Sequence, residues 1–113
     1  MAYHEERFVS FLKKEIAAFL QKKFEVGGGV ILSVSRVVWG GGAGQAKAYV
    51  LVYPEKYAKD TLGRLKRFEE STRKYLASRA RRAFIPKIIF LSDVGQEDKI
   101  RLEKLLEKIE NNK

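Results

Sequence analysis

Arg67, Lys74 and Arg81 recur every seven residues, a spacing that stacks three cations in one narrow stripe if the segment between them is a straight helix. Side chains of this kind in this pattern neutralise phosphates. Arg64, Ser78 and Arg82 flank the stripe, and Arg73, Arg79 and Lys87 complete the candidate polyanion-binding set. From Arg64 to Lys87 nine bases face two acids, Glu69 and Glu70, so +7 of the chain's net +9 lies in this stretch. A face that merely solvates a helix mixes both signs, so the imbalance points to a polyanion. Phosphate contacts of this sort supply affinity and do not choose a sequence. Arg79 lies close to the apolar arc of the same helix, where a guanidinium can also snorkel out from the edge of a core.

Other chemistries find few residues. Gly40-Gly41-Gly42-Ala43-Gly44 suggests a phosphate loop, but such a loop turns from a strand into a helix and ends in Gly-Lys-Ser/Thr or carries G-x-G-x-x-G. Here GGGAGQAK runs into a strand, so the glycines form a hairpin loop. Gly41-Gly42-Ala43-Gly44 also matches the GxxG clamp of KH domains, yet that clamp joins two helices and this segment joins two strands. His4 is the only histidine and there are no cysteines, which removes thiol catalysis and the usual zinc ligands and leaves no partner for a Ser-His triad. Glu69-Glu70 and Glu97-Asp98 are adjacent pairs that do not face each other on a helix, so general acid-base work is not expected of them. No catalytic residue, metal, cofactor or small-molecule substrate is expected. Tyr49 and Tyr53 alternate on one strand face, where they either stack bases or, as the commoner outcome, pack under a helix. Trp39 is either a surface contact or a cap on the hairpin.

The elements that position these residues can be traced along one 113-residue domain. Phe8, Phe11, Leu12, Ile16, Phe19, Leu20 and Phe24 fall on one face of a helix over residues 5–24, which Gly27-Gly28-Gly29 stops. VILSVSRVVW is a first strand, with Ser33 and Ser35 set against Ile31, Val34 and Val37. AKAYVLVY is a second, with Ala46, Ala48, Val50 and Val52 on one face and Lys47, Tyr49, Leu51 and Tyr53 on the other, closed by Pro54. From about Thr61 a helical period returns through Leu62, Leu65, Phe68, Thr72, Leu76, Ala80 and Ala83, either as one long helix or as two meeting at a bend, with Glu69-Glu70-Ser71-Thr72 its most polar stretch. Arg82 to Pro86 is the exit, because the residue before proline avoids the helical region. KIIFLSD is a third strand, and Asp93 is placed to cap the following turn or helix. Residues 96–110 form a mixed-charge C-terminal helix, and 111–113 a frayed end. The result is an α+β class with a three-stranded sheet backed by helices. No run approaches the roughly 18 apolar residues that span a bilayer, and MAYHEERFVSFLKKE lacks a signal peptide's uncharged core, so no membrane association and a cytoplasmic location are expected.

In that order and at those separations, the segments resemble the bacterial ribosome-binding factor A family over nearly the whole chain. The resemblance is carried by Val34-Ser35-Arg36-Val37, by Ala46-Lys47-Ala48-Tyr49-Val50-Leu51-Val52 and by Arg73-Lys74-Tyr75-Leu76-Ala77-Ser78-Arg79. Ile85-Pro86-Lys87-Ile88-Ile89-Phe90, with Asp93 three residues on, is similar to the family's proline, phenylalanine and aspartate pattern. The chain departs from the family in its glycine hairpin and in Glu69-Glu70-Ser71, where the family commonly has an Ala-x-Gly-like kink. It resembles a divergent member. The resemblance implies a type II KH-like domain, in the order α-β-β-α(kink)α-β with an added C-terminal helix. It further implies a noncatalytic monomer that binds the small ribosomal subunit and its 16S rRNA during late maturation. The residues alone leave open a KH-like module with another RNA or a protein as partner, a distinction that salt dependence would expose.

Overall fold

The structure is a computed structural model that describes residues 2–40, 44–81 and 84–93, with side chains from residue 5 onward. Helix α1 (Ala2–Lys23) presents Phe8, Leu12, Ile16, Phe19 and Leu20 to the interior, the face that its periodicity predicts. Gly27 and Gly29 take φ of 96° and 76°, conformations that a side chain resists, and so turn the chain out of the helix toward the sheet. Strand β1 (Ile31–Val38) pairs antiparallel with β2 (Gln45–Tyr53), which pairs parallel with β3 (Lys87–Ser92), giving the order β1-β2-β3. A bulge at Ser35 shifts the β1 register, and the Ser35 hydroxyl donates to the Tyr49 carbonyl at 3.2 Å. Because of that extra residue, Leu32 and Val34 before it and Val37 and Trp39 after it all turn toward the helices. Ile31, expected among the inward residues, instead lies on the outer face and is 65% exposed.

After Pro54 a 3-10 turn (Glu55–Tyr57) leads into α2 (Ala58–Lys66), and α3 (Glu69–Arg79) follows at once. The middle segment is thus two helices. The bend falls at Arg67-Phe68, two residues before the polar stretch, where Arg67 N–H and Phe68 N–H bond the Arg64 and Leu65 carbonyls in a 3-10 turn. The Phe68 carbonyl then accepts from both the Thr72 N–H and the Thr72 hydroxyl, at 2.9 and 2.6 Å, and starts the next helix. α3 stops at Arg79 and Ala80 is already extended, so the exit precedes the expected one. Helices cover one face of the sheet, where Ala46, Ala48 and Val50 of β2 and Ile88 and Phe90 of β3 meet Leu12, Ile16, Leu65 and Leu76. The small alanines in the central strand let the helices approach closely. The Gly41-Gly42-Ala43 part of the hairpin loop, the His4 side chain, Arg82, the C-terminal helix at 96–110 and the end at 111–113 lie outside the described residues.

The alternation of β2 is as expected, but the assignment of its second face is not. Tyr49 and Tyr53 point away from the helices, Tyr53 being 71% exposed, so neither packs beneath one. Trp39, in contrast, is not an exposed contact: it is buried, with its ring edge-on to Phe8 at 4.9 Å.

Candidate nucleic-acid interface

Two helices and the turn before them carry the basic surface, and each cation has its own surroundings. On α3, Arg79 Nε donates to the Glu15 carboxylate of α1 at 2.9 Å, and the Tyr75 hydroxyl reaches the same oxygen at 3.2 Å. Glu15 is otherwise buried between the helices. Desolvation there works to raise its pKa, and the hydrogen bonds from Arg79 and Tyr75, with the charges of Arg79 and Lys14, outweigh it and hold the carboxyl below its ordinary value. Arg79 is raised correspondingly by its hydrogen bond and charge contact with Glu15. Arg73 forks onto Glu70 one turn back, at 2.7 Å, and the Ser78 hydroxyl donates to the Tyr75 carbonyl at 2.6 Å. These three candidate contacts are thus engaged inside the protein. Lys74 and Lys87 are exposed, and their charges help Arg73 lower the pKa of Glu70.

On α2 the arrangement differs. Arg64 lays its guanidinium 4.8 Å over the Phe24 ring and donates to the Glu25 carbonyl, tying the helix to the end of α1. Lys66 Nζ donates to the Phe90 carbonyl at 3.1 Å and lies 3.7 Å from Glu69, whose Oε2 accepts the Phe90 N–H at 2.9 Å. Lys87 of β3 and Asp93 just after it direct their N–H groups to the carbonyls of Gly44, just before β2, and Val50 within it, so Phe90, out of phase with them, presents its backbone on the strand's other edge. Lys66 and Glu69 therefore satisfy that edge, and the Glu69 of the departing Glu69-Glu70-Ser71 segment is a structural clamp. The side chains of Arg67 and Lys59 are exposed and form no ion pair or hydrogen bond among the described residues. Lys56, with its Nζ 5.2 Å from the Tyr57 ring, stands with Lys59, Asp60, Gly63, Arg64 and Arg67 around an open groove of about 560 Å³.

The single straight stripe does not form. Arg67 sits in the bend, Lys74 on α3 and Arg81 beyond the helix end, where it is exposed. Lys56 and Lys59 escape the sequence reading because it starts the helix at Thr61. The signal is present: residues 56, 59, 60, 63, 64 and 67 follow the i, i+3, i+4, i+7, i+8, i+11 spacing of one helical face. Across the molecule, Arg36 of β1 lies 4.2 Å above the Tyr49 ring and 3.6 Å from the Asp93 carboxylate, so the tyrosine face that could stack a base is covered. Asp93 thus has a partner in the sheet; the turn or helix it was expected to cap lies outside the described residues. Among the described residues no three His, Cys, Asp or Glu side chains gather as metal ligands, and no helix is long and apolar enough to cross a membrane.

A mixed three-stranded sheet with three helices on one face, bent at the α2–α3 junction and basic along it, defines an α+β protein of KH-like architecture. Its fold is similar to the crystal structure of ribosome-binding factor A from Thermus thermophilus, with a TM-score of 0.68 at 22% identity over 80% of this chain and 97% of that one. The model of the family "Ribosome-binding factor A" matches residues 4–106, and the chain belongs to that family. It is 33% identical to the ribosome-binding factor A of a Synechococcus strain, over 92% of this chain and 78% of the relative. It is 30% identical to that of Heliobacterium modesticaldum, over 99% and 94%. Identities near 30% agree with a divergent member.

Proposed function

We propose that this protein is a noncatalytic, ribosome-associated factor that binds 16S rRNA of the small subunit through the basic surface of α2 and α3 during late subunit maturation. The observation that carries the reading is a set of exposed cations, Lys59, Arg67, Lys74 and Lys87, whose side chains have no carboxylate hydrogen bond among the described residues, on a chain of this family. Arg64, Arg73, Ser78 and Arg79 then serve mainly to hold the helices that present them, and Arg81 extends the surface past α3. The protein acts as a monomer in the cytoplasm, and it positions RNA without transforming it. Counterion release makes such binding fall steeply with salt, whereas an apolar protein contact would show little slope.

Co-sedimentation of the purified protein with free small subunits, immature small subunits and whole ribosomes, at low and moderate salt, tests the reading. Salt-sensitive binding to free or immature small subunits and not to whole ribosomes is the expected outcome. Binding to none of them would redirect the protein to a different RNA or a protein partner. The double variant Arg67→Glu/Lys74→Glu should lose this binding while its melting temperature stays within a few degrees of the parent. Full binding by that variant would remove the helical surface from the mechanism.

A further inference from the structure

The groove along α2 carries an observation that the basic surface as a whole does not. Lys56, Lys59, Arg64 and Arg67 border it with one opposing acid, Asp60, and its middle is Gly63. A glycine inside a helix is destabilising relative to alanine, so its presence asks for a reason. Packing provides none, because a Cβ built on Gly63 meets nothing within 4 Å, and its backbone is ordinary helix rather than a turn that only glycine can make. What the missing side chain does provide is a bare stretch of helix surface between Lys59 and Arg67, which the helical rise sets about 12 Å apart along the axis.

We infer that this groove seats one strand of RNA backbone, with Lys56, Lys59 and Arg67 on its phosphates and the strand passing directly over Gly63. The inference rests on the RNA-binding reading above and localises it. Arg64 is held to Phe24 and the Glu25 carbonyl and forms the inner wall, adding charge without having to move. Lys59 and Arg67 keep their side-chain donors for the ligand, since neither side chain has an ion pair or hydrogen bond among the described residues. The Lys56 ammonium leaves only an exposed ring contact with Tyr57 to reach a phosphate. Asp60 repels phosphate and keeps the strand on the side of the groove where the lysines and Arg67 stand. A strand that runs over bare backbone leaves its bases pointing outward, so this site contributes affinity and register rather than sequence choice.

The test is fluorescence anisotropy of a labelled single-stranded oligouridylate over a salt series, with the full chain and three variants. Lys56→Ala/Lys59→Ala removes two phosphate contacts and should make the log-log salt slope shallower by about 1.4, at about 0.7 per contact on a single strand. Lys22→Ala/Lys23→Ala removes the same charge from the exposed last turn of α1 and should leave the slope at the parental value. Gly63→Ala should bind at least several-fold more weakly while melting at the same or a higher temperature, a pairing that a merely structural glycine would not give. Equal slopes for the two lysine pairs, or parental affinity in Gly63→Ala, would overturn the groove while leaving RNA binding by the rest of the surface intact. A parent chain with no salt-dependent binding to the probe or to ribosomal subunits would remove the RNA-binding reading and the groove with it.

Discussion

The 3-10 turn, α2 and the bend that follows it carry Lys56, Lys59, Arg64, Lys66 and Arg67, while α3 carries Arg73, Lys74 and Arg79. On α3 two of the three cations are bound to carboxylates, Arg73 to Glu70 and Arg79 to Glu15. On the α2 side Arg64 is bound to a backbone carbonyl, Lys66 is shared between the Phe90 carbonyl and the Glu69 carboxylate, and Lys56, Lys59 and Arg67 face solvent without a carboxylate partner among the described residues. A carboxylate partner cancels charge and a carbonyl partner does not, so the two helices present different fields although both carry several cations. Charge density along a chain therefore locates a basic region, and only the partners reveal which part of it is available to a ligand.

The comparison is broken most forcefully at the residue both helices share. Phe90 is fully buried beneath them, so Phe90→Ala should lower stability by about 3–5 kcal/mol in denaturant unfolding. A loss within about 0.5 kcal/mol would mean that β3 does not support the two helices as described. Next in size is the clamp at the bend. Glu69→Ala leaves the Phe90 N–H without its acceptor and releases Lys66 from its neighbour, and should cost roughly 1–3 kcal/mol. Hydrogen exchange at Phe90 should quicken in that variant; unchanged exchange would show that water or another group satisfies the edge.

How far the sequence foretold this arrangement depends on what each pattern can encode. The inward face of α1 and the alternation of β2 were legible because a buried stripe repeats with the geometry of its own element. The placement of Tyr49 and Tyr53 on the face away from the helices was not, since alternation separates two faces without saying which one the helices cover. The bulge at Ser35 hid the side to which Ile31 belongs, because one extra residue inverts the pattern from that point on. The bend was misplaced at Glu69–Thr72 for a related reason: local polarity marks where a helix meets water, whereas the break falls at Arg67-Phe68, where the Phe68 ring sits edge-on to Phe24 at 5.2 Å. The candidate cations were all visible as charges. Their partners were not, since Glu15 and Arg79 are separated by 64 residues and meet only in the folded chain.

That long-range pair gives a smaller, pH-dependent effect. The folded pKa of Glu15 lies below the ordinary carboxylate value of about 4.3, so its contribution is complete above that value and is lost as pH falls through the lower folded one. Glu15→Gln should accordingly melt below the parent near neutrality, and the gap should close as the solution is acidified. A gap that is constant with pH would show that the charge of Glu15 does not link α1 to α3.

The smallest effect expected on stability comes from Arg67, and it is the one that sharpens the comparison most. Arg67 stands at the bend with its side chain exposed and with no ion pair or hydrogen bond from that side chain among the described residues, so Arg67→Ala should change unfolding free energy by less than about 0.5 kcal/mol. The same variant should lose affinity for ribosomal RNA and one phosphate contact's share of the salt slope, about 0.7 on a single strand. Arg79→Ala should do the reverse, weakening the α1–α3 contact and leaving the salt slope near the parental value. If both arginines altered affinity equally at a temperature where both variants remain folded, the distinction between a field-presenting α2 and a self-neutralised α3 would fail. Arg79 would then have to leave Glu15 for the RNA, an exchange that would uncover the buried carboxylate and make binding itself depend on pH across the range where Glu15 titrates.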